Sequence, residues 1–156
     1  MSRGLGDVYK RQARYIELYF MRYPGVHTYL KGCVERAKQQ GAATTLFGRR
    51  REMPELKSSN YNTRSFGERV AMNMPIQGTA ADIIKLAMVR VHNELKARGM
   101  KSELILQIHD ELIIDAVQEE ADAAAEILKS CMENVVNLKV PLLAEVHTGH
   151  SWFDTK

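Results

Sequence analysis

Glu103-Leu104-Ile105-Leu106-Gln107-Ile108-His109-Asp110-Glu111-Leu112-Ile113-Ile114-Asp115-Ala116-Val117 carries the clearest structural signal in the chain. Two apolar, β-branched runs, residues 103–108 and 112–117, flank a polar trio, which is the pattern of two strands joined by a turn. The trio His109-Asp110-Glu111 sets two adjacent carboxylates where a hairpin presents its tip. Carboxylates paired on a rigid hairpin suit a divalent metal, the usual need of phosphoryl-transfer chemistry. An ordinary solvated turn has the same composition, so the rest of the chain must separate the two readings.

Outward to the C-terminus, residues 119–137 read as a helix whose acidic first turn suits the positive end of the helix dipole. Residues 142–147 read as a last strand. A hairpin plus one further strand, covered on one face by helices, is an α+β arrangement around a small antiparallel sheet. Outward to the N-terminus, Ala80, Ile83, Ile84, Ala87, Met88, Val91 and Leu95 recur at three- and four-residue spacing, so residues 78–98 form a helix with a core-facing stripe. Thr79 with Asp82 has the spacing of a capping box, and Gly99 is the natural stop. A helix over residues 63–73 precedes it, with a break or kink at Pro75, which lacks an amide hydrogen.

Farther upstream, residues 13–20 and 26–40 read as helices separated by Tyr23-Pro24-Gly25, the second ending at a glycine cap, Gly41. Residues 44–47 read as a short strand and Gly48-Arg49-Arg50-Arg51 as the turn after it. Residues 1–12 show no periodicity that joins them to the helix beginning at residue 13 and read as a non-native or poorly ordered leader.

At 156 residues with 45% apolar content, the chain is about one domain by length. It lacks a secretory signal and any apolar run near the ~18 residues that span a bilayer, so the expectation is a soluble cytoplasmic protein with no membrane partner. Cys33 and Cys131 lack CxxC spacing and read as reduced, buried thiols. Residues 1–75 hold 14 Lys/Arg against 6 Asp/Glu, a net +8, whereas residues 76–156 hold 8 against 13, a net −5. The basic half suggests a polyanion partner, since each cation that neutralises a phosphate releases counterions. Solvated surface charge accounts for the same counts.

Three blocks then fall into one order: Thr45-Leu46-Phe47-Gly48-Arg49-Arg50-Arg51, the run from Glu68 through Pro75 and Gln77-Gly78-Thr79 to Lys85, and the His-Asp-Glu hairpin. Together they resemble the C-terminal part of family A DNA polymerases, the bacterial DNA polymerase I type, over roughly residues 13–152. The resemblance implies that residues 13–60 end the fingers with a basic turn and that residues 61–156 form part of the palm. It implies that Asp110 ligates catalytic Mg²⁺, that Glu111 supports the metal or the primer end, and that His109 sits beside the primer terminus. Two metals would serve the transfer of deoxynucleotides from dNTPs to a primer 3′-hydroxyl. Arg69, Asn73 and Gln77 match positions that meet primer-template DNA, where minor-groove acceptors lie at similar places on all base pairs. Arg49, Arg50 and Arg51 are weaker candidates, for phosphate contact or structural pairing.

The chain departs from the family pattern in lacking the first palm carboxylate motif and the fingers helix that contacts the incoming nucleotide. Its expected partners therefore include the missing palm, fingers and thumb segments, and alone it is expected to be inactive. The resemblance further implies a nucleoid-associated location. Two other functions compete: a non-catalytic DNA-binding module using the basic half, and a metal-dependent nuclease, which would need more ligands near Asp110 than motif spacing reveals.

Overall fold

A computed structural model describes residues 3–155, with side chains from residue 9 onward. The elements run α1 (Arg3–Arg22), α2 (Pro24–Gln40), β1 (Ala42–Thr44), β2 (Arg50–Glu52), α3 (Tyr61–Asn73), α4 (Thr79–Ala97), β3 (Glu103–Ile108), β4 (Glu111–Asp115) and α5 (Ala121–Glu133). The fold is α+β, with two separate two-stranded antiparallel sheets, β1–β2 and β3–β4. The chain divides into two compact units, Met1–Ile76 and Gln77–Lys156, each with its own core.

In the first unit, α1 begins ten residues ahead of the expected start at 13, so residues 3–12 are helical; Met1 and Ser2 lie outside the described residues. Pro24 opens α2, where its missing N–H costs nothing, and Gly41 closes it in the left-handed conformation at φ 70°. The cap reverses the chain directly into β1, two residues earlier than expected. Thr45 then starts the turn instead of extending the strand. Its N–H donates to the Arg49 carbonyl at 2.9 Å, Gly48 N–H donates back to its carbonyl at 3.0 Å, and its hydroxyl accepts from Arg49 N–H at 3.2 Å. Arg50 and Arg51 consequently lie on β2, paired with Thr44 and Ala43, and not in the turn. The core joins Val34 and Ala37 of α2, Ala43, Met53, Leu56 and Ala71 of α3. A Lys38–Glu68 ion pair at 3.0 Å ties α2 to α3 at the rim.

Asn60 caps α3, its side-chain oxygen accepting from the N–H groups of Asn62 and Thr63. The break expected at Pro75 is a π-helical turn over Met74–Gly78, a wider turn that lets the backbone remain helical past a residue with no N–H to give. Because α4 is entered from that turn, its N-cap position is Gly78, with helical φ and ψ.

In the second unit the core holds Ile84, Ala87, Val91 and Leu95 of α4, Leu112 of β4, and Ala124, Ile127 and Cys131 of α5, with Met88, Leu104 and Ile114 packed against it. This is the stripe read from the sequence, less Ala80, which is exposed, and Ile83, which is half-buried outside the cluster. The helix expected over 119–137 is shorter: a 3₁₀ turn, Gln118–Glu120, leads into α5, which ends at Glu133. Asn134 stops it by donating its side-chain amide to the Ser130 carbonyl at 2.9 Å, while its own carbonyl accepts from Arg90 at 2.6 Å.

The further strand at 142–147 is corrected. Leu142, Ala144 and Val146 are half-buried and alternate with exposed Leu143, Glu145 and His147, which is strand periodicity, yet the segment joins no ladder among the described residues. A strand is defined by its backbone partners, and here the Ala144 N–H donates to the Glu133 carboxylate at 3.0 Å instead. Both cysteines are free and buried. Among the described residues no helix is long and apolar enough to cross a membrane.

Candidate functional site

The β3–β4 hairpin is built on an irregular ladder. Glu103 faces Asp115 and Leu104 faces Ile114, but Leu106 faces Ile113, Gln107 faces Leu112 and Ile108 faces Glu111, so Ile105 is an extra residue on β3. A bulge of this kind advances the pairing by one position. Without it, Gln107 would face Glu111 and residues 108–110 would form the connection. With it, the connection contracts to His109 and Asp110, and Glu111 becomes the first residue of β4. Composition alone assigns Glu111 to the turn, because the bulge leaves no mark in it.

A two-residue connection demands special backbone angles, usually met by glycine. Here His109 takes the left-handed conformation at φ 52°, the only non-glycine with positive φ among the described residues. The Gln107 side-chain amide donates to the His109 carbonyl at 2.6 Å, across the turn. His109, Asp110 and Glu111 are all exposed, and neither carboxylate has a hydrogen-bond or ion-pair partner among the described residues. Oxygen ligands of this type suit Mg²⁺, which keeps several waters and takes one or two carboxylates. Among the described residues no group of three or more His, Cys, Asp or Glu is placed to hold a metal. The tip thus fits part of a coordination sphere.

The base of the hairpin is anchored firmly. Glu120, just ahead of α5, accepts hydrogen bonds from the Ser102 hydroxyl at 2.7 Å, Ser102 N–H at 2.9 Å and Lys101 N–H at 3.0 Å. Val117 N–H donates in turn to the Ser102 hydroxyl oxygen at 3.1 Å. The Ser102 hydroxyl above all, then the two backbone amides, favour the charged carboxylate and hold the Glu120 pKa below its ordinary value. Sequence patterns do not reveal this anchor, since nothing local links residue 102 to residue 120.

In the first unit, Arg69 and Asn73 are exposed one turn apart on α3, on the side opposite buried Gly67 and Ala71. Arg69 donates to the Ser65 hydroxyl at 3.1 Å. Arg50 and Arg51 are exposed on β2, with Arg50 3.4 Å from Glu52, and Arg49 lies in the preceding turn. Gln77 is exposed on the π-helical turn and belongs to the second unit, with the hairpin. The sequence candidates therefore form a carboxylate tip plus Gln77 in one unit, and Arg69, Asn73 and the arginine cluster in the other.

The sequence profile of DNA polymerase family A matches residues 1–154. The chain belongs to that family. It is 52% identical over its whole length to DNA polymerase I of Caldicellulosiruptor bescii and 46% identical to that of Bacillus subtilis, covering 18% of each relative. The family A chain is also similar in structure to the POL domain of Pol1 from M. smegmatis in complex with DNA primer-template and dNTP. The TM-score is 0.90 at 41% identity, over 94% of this chain and 26% of that one. It therefore spans less than a fifth of the curated polymerases it matches.

Proposed function

We propose that this family A chain is the C-terminal palm and fingers portion of a DNA-directed DNA polymerase that transfers deoxynucleotides from dNTPs to a primer 3′-hydroxyl. The observation that carries the reading is the exposed, unpartnered carboxylate pair on the bulged hairpin tip. The relatives named DNA polymerase I, and a structural neighbour solved with primer-template and dNTP, support it.

Asp110 would hold Mg²⁺ directly and Glu111 would assist at the metal or the primer end. Bound there, two Mg²⁺ ions would supply charge stabilisation for the attacking 3′-hydroxyl oxygen and the departing pyrophosphate. This chain's own residues position and grip. His109 aligns the primer terminus, Arg69, Asn73 and Gln77 donate to minor-groove acceptors common to all base pairs, and Arg49, Arg50 and Arg51 face phosphate. Because the hairpin supplies only part of the ligand set, the chain alone is inactive and depends on upstream palm, fingers and thumb segments. In the cell it works in the cytoplasm on nucleoid DNA.

The test is primer extension with Mg²⁺ and four dNTPs, comparing this chain with a version joined to upstream polymerase segments. Only the joined version should extend the primer, and Asp110→Ala in it should abolish extension while leaving primer-template binding within about threefold. Extension retained by Asp110→Ala would remove that carboxylate from the metal site. Duplex binding by a joined version that never extends would favour a non-catalytic DNA-binding module, and strand cleavage would favour a nuclease.

A further inference from the structure

The hairpin tip combines two unusual features. Its connection has only two residues, and the first of them is a histidine at φ 52°. A side chain larger than glycine in the left-handed region stores strain of roughly 1–3 kcal/mol and persists only where its surroundings over-determine it. Two devices surround this one. The Ile105 bulge sets the register that demands the tight connection, and Gln107, two residues before His109, reaches forward to the His109 carbonyl. That carbonyl begins the peptide unit that leads into Asp110. Holding it fixes the plane from which the Asp110 side chain departs.

We propose that Gln107 is a positioning residue, whose side-chain amide holds the His109 carbonyl and thereby keeps the strained turn in the conformation that presents Asp110. The inference rests on the metal-site reading for its functional meaning, and on the hairpin geometry alone for its structural content. Gln107 touches neither carboxylate, and it acts through the backbone.

The experiment uses this chain and Gln107→Met, which keeps the length of the side chain and removes the donor, each with and without His109→Gly. Amide hydrogen exchange at Glu111, paired with Ile108, should quicken about fivefold in Gln107→Met, the effect of losing about one hydrogen bond, while Leu104 and Ile114 exchange as before. In the His109→Gly background, where φ near 52° costs nothing, Gln107→Met should leave exchange at Glu111 unchanged. Unchanged rates in the single variant, an equal rise along the whole hairpin, or the same rise in the His109→Gly background would each overturn the proposal. Titration with Mn²⁺, read as paramagnetic broadening of the Asp110 and Glu111 signals, gives the functional arm. Weaker Mn²⁺ binding in Gln107→Met, restored in the double variant, is expected. Mn²⁺ binding as tight in Gln107→Met as in the unaltered chain would overturn the claim that Gln107 serves Asp110. Absence of any Mn²⁺ broadening in the unaltered chain would sink the metal reading instead, leaving the exchange rates to decide the role of Gln107.

Discussion

Two glycines in the first unit should respond to the same substitution with opposite sign. Gly67 lies in the middle of α3, buried against the 3₁₀ turn Pro54–Lys57. A Cβ there would stand 3.0 Å from Glu55 Cβ, 3.2 Å from Leu56 Cδ2 and 3.2 Å from the Leu56 backbone nitrogen. Leu56 belongs to the core, so neither its side chain nor its backbone can withdraw without opening that core. Gly67→Ala gains about 1 kcal/mol of helix propensity and incurs an overpacking cost of about 1–3 kcal/mol, for a net loss of up to roughly 2 kcal/mol. Gly25, in the first turn of α2, has nothing within 4 Å of the place a Cβ would occupy. Gly25→Ala should therefore stabilise by about 0.4–1 kcal/mol through the unfolded state. Fluorescence is a poor reporter, because the single tryptophan, Trp152, lies in the other unit. Hydrogen exchange at the α2 and α3 amides reads the right region, and it should quicken by up to about thirtyfold in Gly67→Ala and slow in Gly25→Ala. Equal protection in both variants, or slower exchange in Gly67→Ala, would refute the close approach of α3 to the 3₁₀ turn.

Three further outcomes are expected. Arg69→Ala in the version joined to upstream segments should weaken primer-template binding by a similar factor on every sequence and flatten its salt dependence, and a loss confined to particular base pairs at the insertion site, seen by titrating a panel of duplexes, would contradict minor-groove gripping. Since the folded pKa of Glu120 is depressed, its contribution to stability is present above the ordinary glutamate value of about 4.3 and is lost as pH falls through the folded value. Glu120→Gln should therefore flatten acid unfolding below about pH 4.3, followed by circular dichroism; an unchanged acid limb would show that the anchor does not carry that pH dependence. Deleting Ile105 should remove the bulge, so that Leu104–Ile114 and Leu106–Ile113 become successive regular pairs while Ile108 still faces Glu111 and the connection stays at residues 109–110, a change read directly from cross-strand nuclear Overhauser contacts. Loss of the Ile108–Glu111 pairing would show that Ile105 is not the extra residue of β3.

The features legible in the sequence are those written in local periodicity or local chemistry. The α4 stripe from Ile84 to Leu95 needs only 3.6-residue spacing, the cap at Gly41 needs only a glycine after a helix, and the hairpin shows itself as two apolar runs about a polar trio. The features that sequence patterns miss depend on partners elsewhere in the fold. The bulge at Ile105 follows from how β3 meets β4. The end of α5 rests on Arg90 reaching Asn134 from another helix. The alternation at 142–147 is present in the structure, but a pattern of side chains cannot show whether a neighbouring strand exists. For the site, residue types are visible as candidates, whereas the strain at His109 and the clamp from Gln107 exist only once the register is set.

The lone extended segment at 142–147 has a practical side. Apart from the Ala144 N–H, its backbone donors and acceptors have no protein partner among the described residues, and Leu143 projects from it, largely exposed. Such an edge is a template for any extended chain that drifts past, including another copy of itself. Association through this margin is therefore expected to rise with concentration in the isolated protein. Leu143→Lys, setting a charge along the open edge, is the least intrusive way to blunt it.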